Sequence, residues 1–241
     1  MSTVQDHYTH LLAEHYEWIY GGYTNALSRF RSLFEDFKLT PTLNSRAVDL
    51  GCGSGFQAIP LAEMGYRVAA IDSSEYLLEL LKGRCKDLPI TTFNEDLCQF
   101  RSCVQEPVEL IVCMTDTLLH LDSREEVLAL FADCYKALSA GGQLLFSFRD
   151  LSMPLQDLDR FLSLTQDEER IFTCFLEYEE EQVKVHDLLH VMEKGKWHLR
   201  KSFYRKLRLS PAWVEGGLRD CGFERVDVQE IGGMFYLQAF R

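Results

Sequence analysis

The sequence predicts an α/β fold: a doubly wound, mostly parallel sheet of seven strands, with an N-terminal helical lid and an antiparallel β insertion. Three observations carry this. From Arg46 to Phe148 short apolar runs alternate with helical patterns. A glycine-rich turn, "GCGSG" at 51–55, follows the first run and opens the first helix. Beyond residue 150 the pattern changes to long alternating segments separated by turns. Near-continuous apolar strands between helices are what a parallel sheet covered on both faces requires.

Taken in order, the N-terminal part holds two aromatic-rich helices. One stripe carries Tyr8, Leu11, Leu12, His15, Tyr16, Ile19, Tyr20 and Tyr23, with Gly21 and Gly22 placed to break or bend it; a second carries Leu27, Phe30, Leu33, Phe34 and Phe37. The core strands are "RAVDL", "YRVAAID", "PITTF", "VELIVCM" and "GQLLFSF". Between them "FQAIPLAEMG", "SEYLLELLKGRC" and "SREEVLALFADCYKAL" place apolar residues three and four apart, as one face of a helix does. Then "RIFTCFLEY", "QVKVHDLLHVM" and "WHLRKSFYRKLRL" read as antiparallel strands turning at "EEE" and "EKGK", an insertion folding over the sheet edge. "SPAWVEGGLRDCGF" is a helix with Ser210 as N-cap, Pro211 in its first position and Gly222 closing it. "RVDVQEI" and "MFYLQAF" complete the sheet. The chain is expected to be one domain: a cap over 1–42, a ligand-binding core over 43–150, the insertion over 151–209, and a final helix and strands over 210–241.

Composition narrows the class. The 241 residues are 46% hydrophobic and 26% charged, with net charge −12. No apolar run approaches the ~18 residues that a membrane span needs, and the N-terminus lacks the basic start and apolar core of a signal peptide. Eight cysteines without a C-x-x-C pair are expected to be reduced and mostly buried. A cytoplasmic protein follows as the expectation. The acidity disfavours a nucleic-acid partner, because phosphates are bound by a basic face.

The chemistry sits at the strand ends. Glycine lets backbone approach a ligand and adopt positive φ. The dinucleotide pattern G-x-G-x-x-G is missed, since Gly55 comes one residue early and Phe56 stands where the glycine belongs. An acid at Asp49, facing the loop, suits a cationic ligand better than a phosphate. Asp72, at 72 − 49 = 23 residues further on, can accept hydrogen bonds from both hydroxyls of a ribose, or simply cap the helix that follows. Asp96 in "NEDL" can accept from an adenine amino group with Leu97 packed on the ring, although Glu95 is adjacent.

These segments resemble a class I S-adenosylmethionine-dependent methyltransferase. "VDLGCGSG" is similar to that family's first motif, "AAIDSS" to its ribose acid, "NEDL" to its adenine segment, "ELIVCMTDTLLHL" to its fourth-strand motif, and "LSAGGQLLFSF" to the turn into its fifth strand. The resemblance covers about Leu43 to the C-terminus and is loosest in the insertion. It implies a Rossmann-like sheet and S-adenosyl-L-methionine as cofactor, with S-adenosyl-L-homocysteine as product. It places Gly51, Cys52 and Gly53 against the methionine part, Asp49 toward its ammonium, Asp72 and Ser73 at the ribose, Asp96 and Leu97 at the adenine, and Met114 and Thr115 at the sulfonium. Tyr8, Tyr16 and Tyr20 resemble an aromatic lid, although a tyrosine stripe is more often core than lid.

On the acceptor side, Asp116 is a candidate to hold an amine or take its proton, and His120 to act as general base; otherwise Asp116 caps a short helix and His120 packs on Leu121. Arg149, Tyr204 and Arg205 are substrate candidates, with an Arg149–Asp150 ion couple as the alternative. His186 and His190 invite a metal reading, but on a strand they stand ~13 Å apart, so no metal site is expected. The implied reaction is SN2 methyl transfer to a nitrogen or oxygen of a small molecule, with an amine or phenol-like acceptor suggested by the acidic, tyrosine-rich surroundings. A monomer or homodimer is expected. Other readings are a cofactor-binding or regulatory protein without turnover, a nicotinamide oxidoreductase, which the loop spacing opposes, and a tRNA or protein methyltransferase. The last lacks an N-P-P-Y tetrad after strand four, where "CMTDTL" stands.

Overall fold

The computed structural model describes residue 7 and residues 11–241; Tyr8 lies outside the described residues. The first strand, β1 (Arg46–Leu50), is the centre of a seven-stranded sheet. It pairs in parallel with β2 (Arg67–Asp72) on one side and β4 (Val108–Cys113) on the other. Beyond β2 lies β3 (Ile90–Asn94), and beyond β4 lies β5 (Leu138–Phe148), both parallel. The order reverses between β1 and β4, and the crevice at such a switch point is where open α/β sheets bind ligands. The C-terminal pair closes the other edge: β11 (Met234–Phe240) runs antiparallel to β5, and β10 (Arg225–Ile231) antiparallel to β11.

Helices cover both faces, as the apolar strands demand. On one face pack α2 (Tyr23–Asp36), α3 (Ala58–Glu63) and α4 (Glu75–Arg84), around Phe34, Phe56, Leu61 and Leu81. On the other pack α5 (Phe100–Cys103), α6 (Arg124–Ala137) and α7 (Pro211–Asp220), around Phe100, Phe131 and Leu218. Ser74, Ser123 and Ser210 each accept a backbone N–H at the start of α4, α6 and α7. Gly222 follows α7 at φ 105°, a conformation an L side chain resists.

One acid inside an apolar strand has a purely architectural task. Glu109 of β4 is buried, and its carboxylate accepts the amides of Thr42, Leu43 and Ser45 at 2.9, 2.7 and 2.9 Å, and that of Asn44 as well. It fixes the chain's entry into β1.

Two regions differ from expectation. Gly21 and Gly22, at φ 78° and 94°, do break the first stripe, so Tyr23 belongs to α2 and not to the first helix. Immediately before them, among the described residues, stand a 3-10 turn (Ala13–His15) and one α-turn, α1 (Tyr16–Ile19). The insertion has four strands where three were expected. β7 (Arg170–Tyr178), β8 (Gln182–Glu193) and β9 (Lys196–Leu207) were legible, but an edge strand, β6 (Phe161–Gln166), precedes them. It is largely exposed, so its sequence "FLSLTQ" carries no clean alternation. This antiparallel sheet turns Cys174, Leu176, Val183, Val185 and Tyr204 inward. The N-terminal segment packs on the same inner side, with Leu11 and Leu12 against Phe172 and Leu189.

Candidate active site

A cleft of about 1120 Å³ lies at the carboxyl ends of the parallel strands. The glycine turn forms its floor. The Gly51 and Cys52 amides donate to the Ile71 carbonyl at 2.9 and 3.0 Å, and the Gly53 amide donates to Asp72 Oδ2 at 2.8 Å. Asp72 Oδ1 accepts the Ser74 amide at 2.8 Å. Asp72 thus ties the turn to the start of α4 and still lines the cleft with Ser73, and each of its oxygens keeps a lone pair to offer. Leu97 and Asp96 line the next part of the wall. Asp96, rather than Glu95, faces the cleft, while its Oδ1 caps the following 3-10 turn through the Cys98 amide at 2.7 Å.

Tyr16 and Tyr20 form the roof. Phe56, the residue that spoils the dinucleotide pattern, anchors them: Tyr16 stacks on it at 5.4 Å and 7°, and Tyr20 meets it at 5.3 Å. A Cβ on Gly53 would stand 2.9 Å from the Tyr16 hydroxyl, and one on Gly51 would collide with the Thr117 side chain.

Three expected cofactor residues lie behind the wall. Cys52 is 1% exposed, and burial pushes its thiol well up. Met114 is buried in the core beside β4, which corrects its placement; Thr115 and Thr117 line the cleft instead. Asp49 is 1% exposed within β1, and among the described residues no hydrogen bond of ordinary geometry reaches either carboxylate oxygen. Burial first, then the neighbouring Asp72 charge, pushes its carboxyl well above the usual range, eased by the Ala58 amide. A buried acid without a donor calls for a cation. The orphaned acid, the bare-backbone turn and the acids at successive strand ends fit a ligand with an ammonium, a ribose and an adenine.

Thr115 and Asp116 both have positive φ, 57° and 70°, a strained pair for residues with side chains. Ser147 of β5 holds them: its hydroxyl accepts the Thr115 amide at 2.8 Å and its carbonyl the Asp116 amide at 3.0 Å. The Asp116 side chain neither caps the turn Thr117–His120 nor faces the cleft. Its Oδ1 accepts the Arg149 amide at 2.8 Å, and its Oδ2 accepts both the Arg149 guanidinium and Lys206 Nζ, the latter at 2.8 Å. Burial alone would raise its pKa, but Lys206 and Arg149 outweigh burial and bring it down to about 2. As a proton acceptor it is spent, which corrects the expected catalytic role. Arg149 pairs with Asp116 and not with Asp150, whose carboxylate accepts the Ser152 amide at 2.8 Å.

His120 does line the cleft, with burial and then Lys206 lowering its pKa to about 3, so it is a neutral imidazole. Behind it Tyr204 is buried, its ring 5.3 Å from His120 and 4.5 Å from His7. His7 Nε2 lies 2.9 Å from Asp187 on the inner face of β8. Arg205 stands at the cleft rim, paired with Glu179 at 2.9 and 3.2 Å. His186 meets Glu177 at 2.7 Å on β8. Lys206, His7 and Asp187 were not foreseen. Lys206 had a signal: it is two residues from Tyr204 on a strand and so shares its face.

A Rossmann-like sheet whose switch point carries a glycine turn, a ribose-type acid and an adenine-type acid defines a class I S-adenosylmethionine-dependent methyltransferase. The comparisons agree with that class. Residues 47–142 match the family model described as a methyltransferase domain. The ubiquinone biosynthesis O-methyltransferase of Methylococcus capsulatus (strain ATCC 33009 / NCIMB 11132 / Bath) is 28% identical over 200 residues, 82% of this chain and 73% of that one. Among solved structures, DesVI of Streptomyces venezuelae superposes with a TM-score of 0.76 at 20% identity, over 94% of this chain and 97% of that one. CalS10 of Micromonospora echinaspora, an amino pentose methyltransferase solved with S-adenosylmethionine bound, gives 0.65 at 16% identity, over 91% and 89%. No helix among the described residues is long and apolar enough to cross a membrane.

Proposed function

We propose that the chain methylates a nitrogen or oxygen of a small-molecule acceptor, with Asp49, Gly51, Gly53, Asp72, Ser73, Asp96, Leu97, Tyr16 and Tyr20 holding the cofactor. The observation that carries this is the cleft, whose volume of about 1120 Å³ exceeds the ~300–1,000 Å³ usual for one small ligand. The relatives' names support small acceptors of both kinds, an O-methyltransferase and an amino pentose methyltransferase. S-adenosylmethionine, when bound, supplies a methyl already activated by positive sulfur. What remains for the chain is placement and exclusion of water. Asp72 and Asp96 fix the nucleoside end by accepting its hydroxyl and amino donors. Asp49, buried just behind the turn, favours the ammonium by its charge rather than by contact. Tyr16 and Tyr20, braced on Phe56, close the roof. His120, neutral at the cleft wall, accepts a hydrogen bond from the nucleophile and orients it.

The test is calorimetric titration with S-adenosylmethionine and S-adenosylhomocysteine. Asp72→Ala should weaken both by ~1–3 kcal/mol, the scale of a lost charged acceptor, with the fold retained by circular dichroism. Affinity equal to wild type would overturn the ribose assignment. Turnover against pools of small amines, phenols and hydroxy compounds then separates an enzyme from a cofactor-binding protein.

A further inference from the structure

We propose that two copies of the chain meet face to face through the outer side of the antiparallel sheet, as a two-fold dimer. An antiparallel sheet with one side on a core normally turns polar residues outward on the other. This sheet is apolar on both sides. Strand pairing sets its outward side chains in rows. Phe161, Phe175, His186 and Phe203 form one row across all four strands, with neighbouring ring centroids 4.6, 5.7 and 5.7 Å apart. Thr173 and Leu188 stand in the next row, Ile171, His190 and Leu199 in the one after, and Met192 pairs with Trp197 near the hairpin. Phe161 is 57% exposed, Leu199 50% and Trp197 45%. Among the described residues, none of these apolar side chains joins a buried cluster, whereas the inward side chains form two.

Charge selects a second copy as the occupant. The chain carries −12 overall, so two copies repel wherever acidic surfaces meet. The outward face is close to balanced. Glu177 lies 3.3 Å from Lys184 and 2.7 Å from His186, and Glu179 pairs with Arg205 at 2.9 Å. Arg160 lies over the Phe175 ring at 5.0 Å, and Lys184 over the Phe203 ring at 5.1 Å. Repulsion between copies is therefore least here, and a strongly charged partner of either sign meets no opposing field. Area agrees. The run Lys184 to Met192 of β8 measures about 27 Å at ~3.4 Å per residue, and four strands ~4.8 Å apart span about 19 Å. That is on the order of 500 Å² in projection, and side-chain relief brings it near the ~600–1,000 Å² that each partner of a standard interface loses. Leu158, 80% exposed in the turn before β6, extends it further. The Glu177–Lys184–Arg205 row forms the polar rim, at the end where Gln182 and Arg205 also line the cleft, and the aromatic row lies inside it. One apolar patch facing its own copy across a two-fold axis is what an isologous dimer requires.

The experiment is sedimentation velocity on the full chain over a broad concentration series. A species of twice 27.9 kDa is expected. Phe161→Lys and Leu199→Glu, on the two edge strands of the sheet, each place a charge in both halves of the interface. Each should raise the dimer dissociation constant by about a hundredfold, as like charges brought together do, with the circular dichroism spectrum unchanged. Both positions are exposed in a single copy, and Leu199→Glu stands as the test even where Phe161→Lys folds poorly. Ile231→Lys, on the exposed edge strand β10 of the other sheet, is the control and should leave the dimer intact. A monomeric wild type at every concentration overturns the inference. So does a dimer that survives both substitutions in the antiparallel sheet, or one that Ile231→Lys alone dissociates.

Discussion

Asp49 and Asp116 are both buried carboxylates at the ends of neighbouring parallel strands, and their surroundings push them in opposite directions. Asp49 is buried with a like charge nearby and only the Ala58 amide to ease it, so its folded pKa is raised. Stability from such a group is fully present below its unfolded pKa of about 3.9 and is lost as pH rises through the folded value. Asp49→Asn is therefore expected to keep or raise the thermal midpoint of the ligand-free protein at neutral pH. It should also weaken S-adenosylmethionine by about tenfold, as loss of a charged partner does. Thermal melts with and without ligand check both halves together. Asp116 has the reverse sign, with a folded pKa of about 2. Its contribution is present above the unfolded value and disappears as pH falls through about 2. Removing it strands two cations, so Asp116→Asn should cost ~3–5 kcal/mol at pH 7 and much less at pH 2. Urea unfolding at the two pH values measures this, and a loss under about 1 kcal/mol at pH 7 would mean the cluster is solvated like a surface pair.

Among the elements, the glycine turn after β1 is constrained by what lies over it. Gly51 adopts φ 74°, and a side chain there would meet Thr117 from the turn after β4. Gly51→Ala is expected to lower stability by ~1–2 kcal/mol from backbone strain alone, with a further cost from the collision and a large loss of cofactor affinity. Thr117→Ala in the same chain should recover the collision part and leave the strain, a coupling that a double-mutant cycle resolves. Independent, additive effects would show that the two turns do not touch. The antiparallel sheet contributes Lys206 and Tyr204 to the same region, and the segment around Leu11 and Leu12 packs on that sheet's inner face. Roof and insertion therefore form one packed body over the strand ends.

For the molecule as a whole, ligand binding and stability are linked because the cleft exists only when both sheets are assembled. Saturation with S-adenosylhomocysteine at about a hundred times its dissociation constant should add ~2.7 kcal/mol, which is ~5–11 °C in melting temperature for a chain of this size. Differential scanning fluorimetry over a concentration series checks the logarithmic dependence, and a flat response would remove the ligand from the account. The sequence alone determined the doubly wound sheet, the place of its crevice and the acids Asp72 and Asp96 in it. Those features are written in short windows: an apolar strand, the turn that ends it, and the side chain that the turn exposes. Tertiary structure alone decided the acceptor side. Lys206 reaches Asp116 across 90 residues and His7 reaches Asp187 across 180, and no local pattern encodes such a meeting. Strand register chose Lys206 rather than Arg205 to face inward, because successive side chains point to opposite faces. That register turned Asp116 from a candidate base into the shared anion of two cations.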